Sequence, residues 1–486
     1  MDTIEATVGG GLQRNLRNRH IQLIALGGTI GVGLFLGSAG TLRMAGPSML
    51  LGYAIVGAMA FMIMRFLGEM LVENPVSHSF SHFAHCYWSK FAGFFSGWNA
   101  IALYALAAML ELSAAGKFMQ FWWPELPAWV TAAAAWALLN TLNAINVRIY
   151  GETEFWFALI KVVAITAMIA FGGYLLVVNY GRPGVGLSNL WAYGGFFPHG
   201  VGGMVSALGV IAISFVGIEI IGYAAAEARD PEKVIPKATR QIVYRVLLFY
   251  VGSGFVLLTI FPWPELLQRL QAGGDAYSGS PFALVFAALG DKAVANILNL
   301  VIVSATLSAY NSVVYSSSRM LCGIARQGHA PKALARINRQ GIPGPALALS
   351  AMLSGLCVIL NLVLAEQVIT LLISLITTAA LLMWVAIIWT HLRFRRHTRR
   401  QGGRAAYAAP ASPWSNWLCL ALVVAVGVAL FFDPQSRTSI YAIPLWVGGL
   451  WLIHRALRRR LRAMATSSRA ADILQACDVS RPPPTC

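Results

Sequence analysis

Charge is scarce in this sequence. Only 11% of its 486 residues are charged and 57% are hydrophobic, whereas an ordinary soluble domain has roughly 25% charged residues. Its six cysteines show no paired spacing, so they indicate neither a disulfide framework nor a zinc site. The polar N-terminus contains no short apolar run that ends in a small-residue cleavage site, and we therefore expect no removable signal peptide.

Long apolar runs take the place of charge. Each is roughly 20 residues long, which is the length that a helix needs to cross a hydrocarbon core of about 30 Å. We predict an all-α polytopic membrane protein with twelve transmembrane helices, which leave no room for a separate soluble domain. The predicted spans are 21–37, 47–67, 93–118, 128–147, 156–178, 202–226, 243–261, 293–324, 346–363, 368–392, 416–432 and 440–457.

Most of the 36 lysines and arginines lie at the ends of these runs and on alternate loops. They do not follow one exposed face with interleaved aromatic residues, so we expect no nucleic-acid partner. The positive-inside rule then predicts that both termini are cytoplasmic. The segment before the seventh span, for example, holds Lys233, Lys237, Arg240 and Arg245. On the opposite side we count only Arg43, Lys117, Arg182, Arg269, Lys292 and Arg437.

The first span carries four glycines between Gly27 and Gly33. Each glycine costs a helix roughly 1 kcal/mol relative to alanine, so the helix is weak at its middle. One interpretation is close packing against another helix through small residues. The other is a helix that breaks and turns free N–H groups toward an anionic ligand such as a carboxylate. Composition alone leaves both open.

The sixth span is also interrupted by glycine, at Gly217 and Gly222, and it contains Glu219 among apolar residues. An ionisable side chain inside a membrane is costly and is a functional candidate by default. If the chain is two repeats of five spans, spans one and six hold equivalent positions. Paired interrupted helices at equivalent positions point to a transporter site, which favours the functional interpretation of the first span.

Two further ionisable residues lie within apolar runs. Lys161 lies about one turn inside the fifth predicted span, where it could extend to the interface; if it is buried instead, it can gain and lose a proton. Glu111 in the third span is either part of a proton pathway or a structural hydrogen-bond partner.

His78, His82 and His85 fall on one helical face between the second and third spans. Metal binding is one interpretation of this face. We favour a short amphipathic helix at the cytoplasmic interface, because no carboxylate or second cysteine completes a ligand set.

Several motifs, in consistent order, resemble the bacterial amino acid permeases of the amino acid–polyamine–organocation superfamily. The resemblance extends from about residue 12 to residue 457. It rests on GGTIGVGLFLGS at 27–38, AGP at 45–47, LGEM at 67–70, YGETEFWF at 150–157, EARDP at 227–231, IPKA at 235–238 and SSRML at 317–321.

The resemblance implies a LeuT-like fold with two inverted five-helix repeats, two peripheral helices, and discontinuous first and sixth spans. It also implies proton-coupled uptake by alternating access, in the inner (plasma) membrane of a bacterium. The expected divisions are a cytoplasmic tail at 1–20, repeats at 21–180 and 200–395, peripheral helices at 411–457, and a basic, then disordered tail at 458–486.

By the same resemblance, backbone N–H groups of the first span would bind the substrate carboxylate, and carbonyls near Thr29, Ile213 and Val216 would receive its ammonium group. The implied substrate residues are Thr29, Ile30, Gly31, Val32, Gly33, Ile213, Phe215, Val216 and Gly217. Lys161 matches a lysine that replaces a sodium ion in a proton-coupled relative. Glu219 matches a glutamate that links the site to the cytoplasmic half, and Glu111 joins them as a proton-coupling candidate.

Two positions depart from the family pattern. Many relatives have threonine or serine at Val32, so the carboxylate here depends on backbone donors. Ile213 stands at the gate, where related exchangers have a large aromatic ring. Both departures bear on the identity of the substrate rather than on the class of transporter. The motif at 150–157 resembles that of aromatic amino acid permeases but recurs in permeases for other amino acids.

We therefore expect a proton-coupled importer of a neutral amino acid, aromatic or aliphatic, which uses the proton gradient and no cofactor. The alternatives are an exchanger without net proton movement and a non-transporting amino acid sensor, which would usually need an added signalling domain. An enzyme is not expected, because no nucleophile–base pair or metal set lies within the spans. The expected partners are a small-molecule amino acid and the lipid bilayer, and the sequence does not indicate an oligomeric state.

Overall fold

The computed structural model describes residues 30–74, 80–145, 147–179, 184–220, 231–271, 292–338, 341–364, 367–403, 405–433 and 437–465. Within these ranges the chain forms helices and turns and no β-strand. The first helices are α1 (Val32–Phe35), α2 (Gly37–Ala45), α3 (Met49–Glu73), α4 (Phe80–Tyr87), α5 (Lys90–Met119), α6 (Ala128–Ile145), α7 (Val147–Val178) and α8 (Gly200–Ile213).

The remaining helices follow in the same chain order. They are α9 (Pro231–Arg245), α10 (Ser253–Ile260), α11 (Trp263–Gln271), α12 (Lys292–Arg326), α13 (Gly344–Val363), α14 (Val368–Arg400), α15 (Trp414–Phe432) and α16 (Arg437–Ala465). A π-helical segment, Val246–Gly252, joins α9 directly to α10. Short 3-10 turns lie at Gly46–Ser48, Leu187–Leu190 and Lys332–Ala335.

Eleven helical stretches of the described residues are long and apolar enough to cross a membrane. One of them, Val32–Glu73, has 42 residues, about twice the length that a single crossing needs. It covers α1, α2 and α3 and is interrupted at Gly46, whose φ of +56° lies outside the helical region, just before Pro47. This stretch contains parts of the first two predicted spans, which explains why eleven stretches are found where twelve spans are predicted.

Large apolar side chains cover the outside of several helices. Trp414 and Leu445 are each 79% exposed, and Val177 and Phe432 are nearly as open. Contiguous apolar surface on this scale is rare on soluble monomers. In a chain with so many apolar helices, the surface is explained by contact with lipid tails.

Helices α5 and α14 form the centre of the structure. Of the most apolar 18-residue segment of each helix, 78% of the residues are buried, whereas the corresponding share for α16 is 6%. Helix α5 packs against α12 and α14, while α2 and α3 pack against α8. The two broken segments described below therefore lie beside the most buried part of the bundle.

A buried ionic cluster ties α3 to the far end of the chain. Glu69, in the LGEM motif, is fully buried and its carboxylate lies 2.6 Å from Arg395 Nε and 3.0 Å from His391 Nε2. The backbone N–H of Ala409 donates to the same carboxylate at 2.6 Å. On its other side, the His391 ring contacts the Asn416 side-chain amide at 2.9 Å. One acidic residue thus joins α3, α14, α15 and the segment between the last two.

Two neighbours of Glu69 hold the same segment more loosely. Glu73, one turn further along α3, accepts a hydrogen bond of 2.8 Å from the backbone N–H of Ala406. Arg65 lies over the Tyr407 ring at 3.6 Å and donates to the carbonyl of Ala408. Arg65, Glu69 and Glu73, about a turn apart on one face of α3, therefore all contact this segment.

We expect Glu69→Gln to lower the melting temperature of the detergent-purified protein clearly, because removing one member of a buried ion pair costs about 3 kcal/mol. The matched control is Glu73→Gln, since Glu73 is exposed and a glutamine oxygen can still accept the bond from Ala406. Equal melting temperatures for the two variants would contradict a structural role for the Glu69 cluster.

Candidate functional site

The sixth predicted span breaks inside the bundle. Helix α8 ends at Ile213, the residues from Ser214 to Gly217 form a turn, and helical backbone resumes at Ile218. Gly217 has φ of +87°, a conformation that glycine adopts without the steric cost of a Cβ atom. The glycine interruption predicted at this position is therefore a real interruption of the helix.

The first predicted span is described only from Ile30 onward, so Thr29 lies outside the described residues. Ile30 and Gly31 are not helical, and α1 begins at Val32. The two interrupted segments touch each other, because the Ser214 hydroxyl donates to the carbonyl of Gly33 at 2.8 Å. A Cβ atom on Gly33 would lie only 2.8 Å from the backbone nitrogen of Ser214, so glycine is what permits this approach.

Glu111 reaches from α5 to the start of α1. The backbone N–H of Val32 donates to both oxygens of its carboxylate, each at 3.2 Å. A carboxylate is favoured here because the first amides of a helix have no partner within the helix. Glu111 is thus a hydrogen-bond partner of the first span, one of the two roles predicted for it, and its role in a proton pathway stays a prediction.

A cavity lies between these elements and brings many of the predicted substrate residues together. Its lining includes Gly31, Val32, Gly33, Ile213, Val216, Gly217 and Glu111. Ala107, Leu110, Ser214, Ile220, Ala309, Ser312, Val313 and Ile376 complete the lining that the described residues form. Most of these side chains are apolar, and Glu111, Ser214 and Ser312 supply the polar ones.

Some predicted residues lie near the cavity without lining it. Phe215 is fully buried and its ring packs on Tyr250 with 5.0 Å between ring centroids, and Ile30 is also fully buried. Glu219 is buried near the Tyr104 side chain. Within the described residues, the cavity lining includes none of these three.

Lys161 is fully buried, so it does not extend to the membrane interface. Helix α7 begins at Val147, well before the predicted start at residue 156, and this places Lys161 deep in the helix. Its ammonium interacts electrostatically with two buried carboxylates, those of Glu154 and Glu111. A buried cation of this kind is stable only with such compensation.

Glu154 is a buried acid that the sequence reasoning missed. It lies on α7 two turns before Lys161, and Ser308 of α12 donates to its carboxylate at 2.7 Å. The seven-residue spacing from Lys161 puts both side chains on one helical face, a signal that was available. It was missed because Glu154 falls outside the predicted start of the span.

Arg245 was also misjudged, because its position places it among the basic residues of a span end. The structure buries it completely. Its guanidinium donates to the carbonyl of Ser214 at 3.1 Å, and the Tyr250 hydroxyl donates to the same carbonyl at 2.8 Å. The carbonyl that the break in α8 frees from helical bonding is thereby satisfied twice.

The histidine face is only partly described, since His78 lies outside the described residues. His82 and His85 lie on the helix α4, whose Phe80 and Phe83 are buried. The His85 ring is 5.3 Å from that of His329, between ring centroids. Among the described residues, no group of three histidine, cysteine or acidic side chains is placed to hold a metal ion.

A sequence comparison decides the family. The family model described as "Amino acid permease" matches residues 20–466. The chain belongs to the amino acid permease family. With the eleven apolar helical stretches that its described residues form, this permease is a multi-pass membrane protein.

Curated relatives cover nearly all of the permease. It is 50% identical to the aromatic amino acid transport protein AroP of Escherichia coli (strain K12) over 439 residues, 90% of this chain and 94% of the relative. The identity and coverage are the same for AroP of Shigella flexneri. An uncharacterized amino acid permease of Bacillus subtilis, YtnA, is 39% identical over 438 residues, 90% of this chain and 93% of the relative.

We expect Gly33→Ala to disrupt the contact between the two interrupted segments, because its Cβ would overlap the backbone of Ser214. Overpacking of this kind costs roughly 1–3 kcal/mol and should lower the melting temperature of the permease. Gly173→Ala is the matched control, since a Cβ on Gly173 in α7 meets no atom within 4 Å. A stable Gly33→Ala variant would show that the contact is looser than the structure indicates.

Acid should destabilise the permease through His329, which lies outside the spans. Burial, and then the nearby His85, His454 and Arg458, lower the pKa of His329 to about 4. The unfolded chain binds this proton at about pH 6.5, so stability is complete above that pH and falls as the pH drops toward about 4. Melting temperatures at about pH 7 and about pH 5 should differ less for His329→Asn than for the wild type. The same substitution at the exposed His397 is the control; an equal loss in all three proteins would contradict the assignment to His329.

Proposed function

We propose that this permease imports a neutral amino acid, aromatic or aliphatic, by proton-coupled alternating access in the bacterial inner (plasma) membrane. The observation that carries the proposal is the cavity between the two helix interruptions, where the start of α1 lies beside apolar walls. Membership in the amino acid permease family supports an amino acid as the substrate. The AroP relatives, which are named as aromatic amino acid transport proteins, support an aromatic one.

The proposed architecture has twelve spans with both termini in the cytoplasm. The stretch Val32–Glu73 would cross twice and change direction at Gly46. Residues 21–180 and 200–395 would form two inverted five-helix repeats, residues 411–457 would form two peripheral helices, and 1–20 and 458–486 would be cytoplasmic tails. The burial of α16, at 6% the lowest among the described apolar stretches, supports the peripheral position of that helix.

The substrate's charged groups would bind the backbone at the two interruptions. Amides between Thr29 and Gly33 would receive the carboxylate, and carbonyls near Ile213 and Val216 would receive the ammonium group. The backbone would bind the carboxylate and ammonium groups that all α-amino acids share, so it would select α-amino acids as a class. Val216, Val313 and Ile376 line the cavity with apolar surface, which supports a neutral, apolar side chain on the substrate.

Proton coupling would use the buried ionisable residues around the cavity, and the proton gradient would replace any cofactor as the source of energy. Lys161 is the centre of this proposal, because its buried ammonium interacts with both Glu154 and Glu111. Loss of its proton would leave those carboxylates unbalanced and would change the stability of the whole cluster. Glu219, which follows the turn in the sixth span, would link the site to the cytoplasmic half.

The test is uptake by the purified permease in proteoliposomes. With an inward proton gradient, we expect accumulation of at least one radiolabelled neutral amino acid, and competition by all twenty amino acids would identify the substrate class. Failure to accumulate any common amino acid would rule the proposal out.

Lys161→Ala separates symport from exchange. If Lys161 couples the proton, this variant loses gradient-driven accumulation but still exchanges internal for external amino acid. Retention of gradient-driven accumulation would instead favour an exchanger or an importer that does not use Lys161.

A further inference from the structure

The start of α1 already holds a carboxylate, and it comes from the protein. Both oxygens of Glu111 lie 3.2 Å from the backbone nitrogen of Val32. Glu111 is only 8% exposed, yet it also lines the cavity. Its carboxylate therefore stands at the boundary between the helix start and the space in which the substrate is proposed to bind.

The contact is close as well as polar. A Cβ atom on Gly31 would overlap Oε1 and Cδ of Glu111, so the carboxylate lies directly against the backbone of the non-helical segment. A second carboxylate cannot occupy this volume or share the Val32 N–H in a good hydrogen bond. Glu111 and a ligand carboxylate at this position exclude each other.

We propose that Glu111 occupies the site of the substrate carboxylate when no substrate is bound, and that an amino acid displaces it from the Val32 N–H on binding. The inference rests on the proposed function, because it takes the amides of the first span as the carboxylate site. It differs from a role in which Glu111 holds the substrate's ammonium group. In that role the glutamate would strengthen binding, whereas a competitor weakens it.

A second buried charge makes the exchange feasible. A carboxylate that leaves one donor inside the bundle needs another partner, because an uncompensated buried charge is costly. Lys161 supplies this partner, since its ammonium already interacts electrostatically with Glu111. When the ligand carboxylate accepts the hydrogen bond from the Val32 N–H, Glu111 moves toward Lys161. The Val32 N–H then still has one carboxylate partner.

The same geometry explains how substrate binding would reach the proton-coupling cluster. Each substrate that binds adds the Glu111 charge to the surroundings of Lys161, where Glu154 already lies. Proton affinity at Lys161 then depends on whether the amide is held by Glu111 or by the ligand. No separate relay between the two sites is required.

The test measures ligand binding to the purified, full-length permease in detergent by thermal shift and by isothermal titration calorimetry. The probes are L-phenylalanine, L-leucine and sodium acetate, with sodium chloride at equal ionic strength. The variants are Glu111→Ala and the isosteric Glu111→Gln. Glu265→Gln is the matched control, because the Glu265 side chain is 43% exposed and pairs with Arg269 one turn away.

We expect acetate to raise the melting temperature of Glu111→Ala and to leave the wild type and Glu265→Gln unchanged, because only the alanine variant opens the amide to an external carboxylate. We also expect Glu111→Ala to bind the amino acid with a dissociation constant roughly tenfold lower than that of the wild type. Glu111→Gln, whose neutral oxygen is a weaker acceptor, should fall between the two and serves if the alanine variant does not fold.

Weaker amino acid binding by both Glu111 variants would overturn the inference, since it would show that the glutamate supports the ligand. Absence of an acetate effect in Glu111→Ala would overturn it independently. If acetate stabilises that variant while the permease accumulates no common amino acid in proteoliposomes, the internal carboxylate is supported and the proposed function fails, so the two can be told apart.

Discussion

Two helices are interrupted in the middle of an apolar bundle, and every backbone group freed by those interruptions needs a partner that lipid cannot provide. The Ser214 carbonyl accepts hydrogen bonds from Arg245 and Tyr250, and the Gly33 carbonyl accepts one from the Ser214 hydroxyl. The Val32 N–H donates to the Glu111 carboxylate. Two of these partners, Arg245 and Glu111, belong to charged residue types. Part of the buried charge in this charge-poor chain is thus explained by hydrogen bonding to backbone groups at the interruptions.

The buried charged residues that bind backbone groups need other buried charges nearby to compensate them. Lys161 interacts with Glu111 on one side and Glu154 on the other, and Arg245 contributes a second positive group to its surroundings. The polar side chains of α12, such as Ser308, complete the set by hydrogen bonding to Glu154. The need to satisfy backbone groups at the interruptions therefore accounts for a group of interacting ionisable residues next to the cavity.

Local sequence was sufficient where one residue type determines the outcome. The interruption at Gly217 and the apolar helices follow from composition within a single run, whereas composition left the burial of Lys161 open. Arg245 and Glu154 could not be assigned this way, because hydropathy places span ends only approximately and both residues fall near a predicted end. The Glu69 cluster depends on residues that are more than three hundred positions apart along the chain, and no local pattern indicates such a contact.

The close approach of Gly33 and Ser214 has an evolutionary consequence. Where recognition depends on main-chain atoms, most point mutations cannot alter it gradually: a substitution either leaves the peptide groups in place or closes the space between the segments. The walls formed by Val216, Val313 and Ile376 face no such restriction. Under the proposed backbone recognition, divergence among homologues can therefore change which side chain is accepted while the requirement for an amino acid is inherited unchanged.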